Sequence, residues 1–89
     1  MSERRSKLEI MLKVLEAVRE GVDKPTRIMY AANMSWNPTQ EVLARLVEDG
    51  LIRVTEESGG RRSKKRYEIT EKGANVIRYF QGVKALINI

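Results

Sequence analysis

The spacing of apolar residues in this chain changes from helical to alternating at Asp49-Gly50 and returns to helical near residue 71. Apolar residues that recur every three or four positions predict helices, whereas the alternation in residues 51–55 and 66–70 predicts two strands joined by a loop at 58–60. A chain of 89 residues has room for one small domain with a modest core. The pattern therefore predicts a mostly helical α+β domain.

Local signals bound the first two helices. Ser6 is a suitable cap for a helix over residues 6–20. A short second helix, about residues 26–32, follows Pro25, which is favoured at the first helical position. Asn33 tolerates the left-handed conformation that commonly ends a helix.

The third helix has two possible starts. Either Asn37 caps it and Pro38 comes first, or Ser35 caps it and Pro38 lies in the first turn, where its missing N–H costs nothing. Asp49-Gly50 ends it. A helical wheel predicts an inner arc of Thr39, Val42, Leu43, Leu46 and Val47, and an outer face of Asn37, Glu41, Ala44, Arg45 and Glu48.

Three aromatic residues are candidates for packing in the core. A helix that begins at Ser35 places Trp36 on the inner arc, so we favour packing in the core, with an aromatic at the edge of a DNA groove as the alternative. Tyr30 and Tyr67 are expected to be packed rings with solvated hydroxyls.

Cysteine and histidine are absent from the chain. Thiol nucleophiles, thiolate–zinc sites and imidazole acid–base chemistry are therefore excluded, and we expect a protein that is not an enzyme and holds no cofactor or metal. We expect neither a secretion signal nor a membrane span, because no apolar core follows the charged start and no apolar run is long enough to cross a membrane.

The basic residues are concentrated in one segment, RRSKKR at 61–66. The chain has 17 basic and 12 acidic residues, and without the five in this segment, Arg61, Arg62, Lys64, Lys65 and Arg66, the two signs balance. Such a concentration indicates a partner with a dense negative charge, in preference to a solvated loop.

Three helices followed by a hairpin with a basic tip and a closing helix predict a winged helix-turn-helix with one additional helix. The second helix of the pair, about 35–49, would enter the major groove of DNA. Its candidate contacts are Ser35, Trp36, Asn37, Gln40 and Arg45, although Ser35 and Asn37 serve equally well as caps. Because the outer face of this helix is mildly acidic, we expect weakly sequence-selective binding that depends on the wing and on the basic start, Arg4, Arg5 and Lys7.

The last helix has an apolar stripe with the spacing of a coiled coil. The candidate dimerisation residues are Val76, Phe80, Val83, Leu86 and Ile87. One face of the helix can close the core of the domain, and the remainder is apolar enough to need a partner helix. A monomer whose last helix lies along its own domain is the alternative.

Four segments together resemble the small winged-helix DNA-binding proteins of archaea. They are RSKLEIMLKVLEAV at 5–18, KPTRIMYAANMSW at 24–36, LVEDGLI at 46–52 and YEITEKG at 67–73. The resemblance implies a chromatin-type protein or a viral or plasmid regulator that forms dimers through an antiparallel C-terminal coiled coil. It also implies Ser35 as the helix cap, Trp36, Asn37, Gln40 and Glu41 at the start of the recognition helix, and a wing at 61–66.

We therefore expect a winged helix-turn-helix DNA-binding domain at 1–70 and a dimerisation helix at 71–89 packed on it. The expected partners are double-stranded DNA and a second copy of the chain, without membrane or metal and without a small-molecule effector. A cytoplasmic, nucleoid-associated transcription regulator or chromatin protein fits these features. The alternative is a winged-helix module for protein–protein assembly that docks through its acidic third helix.

Overall fold

A computed structural model describes residues 6–59 and 62–87 of the chain. The first helix, α1, spans Lys7–Arg19, and the Ser6 hydroxyl caps it by accepting the Glu9 N–H at 3.1 Å. The second helix, α2, spans Pro25–Ala31, and Asn33 follows it with φ of 53°. These two helices confirm the predicted caps and ends.

The third helix, α3, spans Trp36–Glu48 and has Ser35 as its N-cap residue. Of the two possible starts, the one at Ser35 is therefore correct, and Pro38 lies in the first turn. The Ser35 side chain makes no capping hydrogen bond; instead its carbonyl accepts the Thr39 hydroxyl at 2.7 Å. Beyond the helix, Gly50 has φ of 75°, a left-handed conformation that glycine adopts at little cost.

The wing is a two-stranded antiparallel hairpin of β1, Ile52–Gly59, and β2, Arg62–Ile69. Both strands are longer than predicted, so residues 62–66 of the basic segment lie in a strand rather than at a loop tip. The register explains the extension: Lys65 is opposite Glu56, and Lys64 is opposite Glu57. Opposite charges at facing positions of two antiparallel strands stabilise the strand pairing. The hydropathy pattern does not predict this part of the hairpin, because the residues on both of its faces are polar.

A hydrogen bond ties the base of the wing to the helices. The Tyr67 N–H donates to the Asp23 carbonyl at 2.9 Å, so β2 lies between β1 and the α1–α2 connection. The side chain of Tyr67 is buried, as predicted, and burial raises the pKa of its phenol. This contact brings residues 23–24 next to the basic part of β2.

One hydrophobic core joins the elements. It consists of Leu12, Val14, Leu15, Val18, Ile28, Ala32, Leu43, Leu46, Leu51, Ile52, Tyr67 and Ile77. The predicted inner arc of α3 is confirmed, with Thr39, Leu43 and Leu46 buried. The prediction that Tyr30 packs is wrong, because α2 buries the side that carries Ile28, and Tyr30, two positions on, is 74% exposed.

The last helix, α4, spans Glu71–Ile87. The Thr70 hydroxyl accepts the Gly73 N–H at 3.1 Å and donates to the Gly50 carbonyl at 2.7 Å, which fixes the start of α4 against the end of α3. Gly73 lies so close to the Leu51 carbonyl that a Cβ there would clash with it. Across residues 6–59 and 62–87, no helix combines the length and apolarity that crossing a membrane requires.

Candidate nucleic-acid interface

The starts of α2 and α3 and the middle of β2 enclose an open cleft of about 540 Å³. Its lining residues are Lys24, Pro25, Thr26, Trp36, Gln40, Lys64, Lys65 and Arg66. The structure thus brings together five of the residues that the sequence proposed for binding, Trp36 and Gln40 from the helix and three cations from the wing. We call this feature the basic cleft.

The basic cleft contains four cations, all of them exposed, and no carboxylate lines it. No carboxylate whose side chain the structure describes lies within 4.0 Å of any of these cations, even though Glu56 is opposite Lys65 in the register. Asp23 precedes Lys24 in the chain, and its main-chain carbonyl accepts the Tyr67 N–H. Several unpaired positive charges around a concave surface attract an anion.

Lys24 is the functional candidate that sequence reasoning missed. It is 40 positions before Lys64 in the chain, and the hydrogen bond from the Tyr67 N–H to the carbonyl of the adjoining Asp23 holds this segment beside the wing. A local signal was nevertheless available. Lys24 is the N-cap residue of α2, where it makes no capping hydrogen bond, and a cation is unfavourable at the positive end of a helix. A lysine at this position does not stabilise α2, which indicates that it has another role.

Trp36 lines the basic cleft and is 48% exposed, so the preferred prediction that it packs in the core is wrong. It is on the same side of α3 as Leu43, as the helical wheel indicated, but the first turn of the helix extends beyond the core. The ring therefore faces the cleft beside Pro25 and Gln40. The alternative role, an aromatic at the edge of the binding surface, agrees with this position.

Gln40 was expected to be exposed, and it is half-buried. Its Nε2 atom is buried and has no hydrogen-bond partner among the described residues. Ser35, Asn37 and Arg45 are exposed as expected. The Nε atom of Arg45 lies 3.4 Å from Asp49 Oδ2, an exposed ion pair that contributes little to stability and leaves the guanidinium accessible.

Four of the proposed DNA contacts lie outside the part of the chain whose side chains the structure describes. Arg4, Arg5 and Arg61 lie outside the described residues, and Arg62 is the first residue of β2. The cation contribution to the interface therefore rests, in structural terms, on Lys24, Lys64, Lys65 and Arg66.

The proposed dimerisation residues lie on α4. Val76, Phe80 and Val83 are half-buried, and the first two pack against the core, whereas Leu86 and Ile87 are 88% and 59% exposed. An apolar depression of about 550 Å³ runs along the same helix beside Val76 and Phe80. The stripe therefore serves the core at its beginning and faces solvent at its end.

A metal site is not evident in the described part of the chain, where no three His, Cys, Asp or Glu side chains cluster in a way that could hold an ion. The tightest aromatic pair there, Tyr79 and Phe80, has ring centroids 5.4 Å apart in an edge-to-face arrangement on α4, away from the basic cleft.

Comparison with known proteins agrees with this architecture. Two uncharacterised proteins of Methanocaldococcus jannaschii are 33% and 31% identical over 70 and 86 residues, which are 79% and 97% of this chain but 64% and 37% of those proteins. The chain thus spans less than two thirds of the length of either relative. The solved structure of Sso10a-2, a DNA-binding protein from Sulfolobus solfataricus, aligns with a TM-score of 0.75 and 27% identity, covering 94% of this chain and 83% of that one. A family model described as winged helix-turn-helix matches residues 4–88, and the chain therefore belongs to the winged helix-turn-helix family.

Proposed function

We propose that this chain binds double-stranded DNA without catalysing a reaction, as a transcription regulator or a chromatin-associated protein of the nucleoid. The observation that carries the proposal is the basic cleft, in which four exposed cations adjoin the start of α3 and none has an ion-pair partner among the side chains that the structure describes. A helix-turn-helix presents this part of its second helix to the major groove. The DNA-binding character of Sso10a-2, at 27% identity over most of both chains, supports the same function.

The outer face of α3 supports weak sequence selectivity. Asn37 and Arg45 are exposed there and have the chemistry to contact adenine and guanine edges. Glu41 and Glu48 are exposed on the same face and would repel phosphates. Affinity would therefore come mainly from the wing, and base contacts would add a modest preference.

A homodimer completes the proposal. The end of α4 exposes Leu86 and Ile87, and a helix of 17 residues is about 26 Å long, enough for a short pairing with a second copy. Pairing would cover these side chains and place two basic clefts on one DNA molecule. Each added cleft increases the number of phosphates that one binding event neutralises.

A salt titration tests the DNA-binding proposal. Anisotropy of a labelled random duplex should give a log–log slope of about −5 to −9 for a dimer that neutralises roughly 6–10 phosphates. Replacing Lys64, Lys65 and Arg66 with Gln removes six cations from a dimer, so the slope should become shallower by about 5. The matched control replaces Lys13, Arg19 and Lys84, which are exposed cations on α1 and α4 outside the basic cleft.

If the wing variant and the control variant give the same slope in the salt titration, the proposal is wrong. Circular dichroism of both variants checks that the fold is intact. If the native protein does not bind the duplex even at low salt, DNA binding is wrong, and the acidic outer face of α3 becomes the surface to test for a protein partner.

A further inference from the structure

The side-chain amide of Gln40 is the most unusual polar group of the basic cleft. Its Nε2 is buried without a partner, although Gln40 lines a cleft that is open to solvent. A buried donor without an acceptor is unfavourable in the isolated protein. An acceptor that enters the cleft beside Gln40 would satisfy this amide once the side chain turns toward it.

A second donor faces the cleft from the wing. Main-chain N–H groups alternate in direction along a strand, and the Tyr67 N–H points away from β1, toward Asp23. The Lys65 N–H, two residues away in β2, therefore points to the same edge, beside Lys24. The free edge of β2 thus adds a main-chain donor to the cations.

The polar groups of the basic cleft select for a phosphate rather than for a base. The cleft is lined by three lysines, one arginine, the Gln40 amide and the Thr26 hydroxyl, so donors and positive charge outnumber acceptors, and no carboxylate lines it. A phosphodiester offers acceptors only and a negative charge, whereas the major-groove edges of adenine and cytosine also present donors and no base edge carries a charge. The ring of Trp36 and Pro25 supply an apolar wall against which the adjoining sugar can pack.

We propose that the basic cleft seats one phosphodiester group of the DNA backbone, with Gln40 and Lys24 as its contacts on the helices and Lys65 as its contact on β2. This inference rests on the proposed function. It assigns Lys24 to the DNA interface and makes Gln40 a contact to the phosphate backbone instead of to a base. Base contacts are then left to the outer face of α3.

Affinities for three duplexes, random, A·T-rich and G·C-rich, test the assignment. Gln40→Ala should weaken binding to all three by the same factor, about tenfold for each occupied cleft, as expected for a hydrogen bond to a charged group. Lys24→Gln should also act uniformly and make the salt slope shallower by about 1 for each cleft. The matched controls are Gln81→Ala on α4 and Lys13→Gln on α1, both at exposed positions outside the cleft.

Three results would overturn the inference. A loss in Gln40→Ala that differs between A·T-rich and G·C-rich DNA would make Gln40 a base contact. If the Gln40 and Lys24 variants both bind DNA as their controls do, the cleft does not hold a phosphate. DNA binding by the native protein would in that case still support the proposed function. A native protein that binds no duplex would overturn the proposed function and the inference together. The Lys24 substitution is at an exposed helix cap, so it remains informative if Gln40→Ala proves unstable.

Discussion

Gly73 offers a sharp test of how α4 is fixed to the domain. It is the third residue of the helix and is buried, and a Cβ at this position would clash with the Leu51 carbonyl oxygen and lie 2.8 Å from Cδ1 of Ile69. The carbonyl belongs to the backbone at the entry to the wing, so it cannot rotate away as a flexible side chain would. Gly73→Ala must therefore move α4 relative to β1.

The size of the effect follows from two opposing terms. Overpacking a buried site costs about 1–3 kcal/mol, and alanine recovers up to about 1 kcal/mol through its better helix propensity. Because the obstacle is main chain, we expect the steric cost to dominate and the free energy of unfolding to fall by about 1–2 kcal/mol. In a domain of this size, that corresponds to a loss of about 5–15 °C in Tm.

Gly82 provides the matched control in the same helix. A Cβ at Gly82 would meet no atom within 4 Å, so Gly82→Ala should raise the free energy of unfolding by about 0.5–1 kcal/mol. Thermal and urea unfolding followed by circular dichroism, at equal protein concentrations, measure both variants. If Gly73→Ala is as stable as Gly82→Ala, the close approach of α4 to Leu51 is wrong.

Three further predictions concern the helix end, the core and the cleft. Ile87→Asp should shift the sedimenting species to monomer, while Gln81→Asp should not; a native protein that already sediments as a monomer contradicts the dimer. Burial raises the pKa of Tyr67, so the native state keeps the phenol proton to higher pH than the unfolded chain does. The resulting contribution of Tyr67 to the free energy of unfolding should be constant below about pH 10 and be lost as pH rises through the native pKa. This pH dependence should be absent in Tyr67→Phe. Trp36, the only tryptophan, should change its emission on saturation with duplex, and unchanged emission would place DNA elsewhere.

The ends of the elements could be predicted from sequence because they depend on neighbouring residues. Ser6 caps α1 through a group three positions away, and Asn33 and Gly50 take the left-handed conformations that their residue types favour. Thr70 caps α4 in the same local way. The predictions at Ser6, Asn33 and Asp49-Gly50 hold because such signals need no knowledge of the rest of the fold.

The composition of the basic cleft could be predicted only in part, since it depends on contacts between distant segments. A helical wheel gives the direction of Trp36 but not whether another element covers it, and here the cleft is open on that side. Lys24 lies beside the wing through contacts between distant segments, among them the hydrogen bond between Asp23 and Tyr67. The register of the hairpin, which decides the neighbours of Lys65, also appears only in the folded chain.

The register of the hairpin also affects the net charge around the basic cleft. Glu56 is opposite Lys65, so β1 partly compensates the positive charge of β2 even though no ion pair forms. Glu56→Gln should therefore strengthen DNA binding about two- to fivefold at low salt, and the gain should fade above about 0.1 M salt, where charges more than about 10 Å apart are screened. Glu68→Gln is the matched control, because Glu68 is exposed but opposite Arg53 at the base of the wing. Equal gains from both variants would mean that net charge alone matters; a gain confined to Glu56→Gln would show that the field at the basic cleft governs affinity.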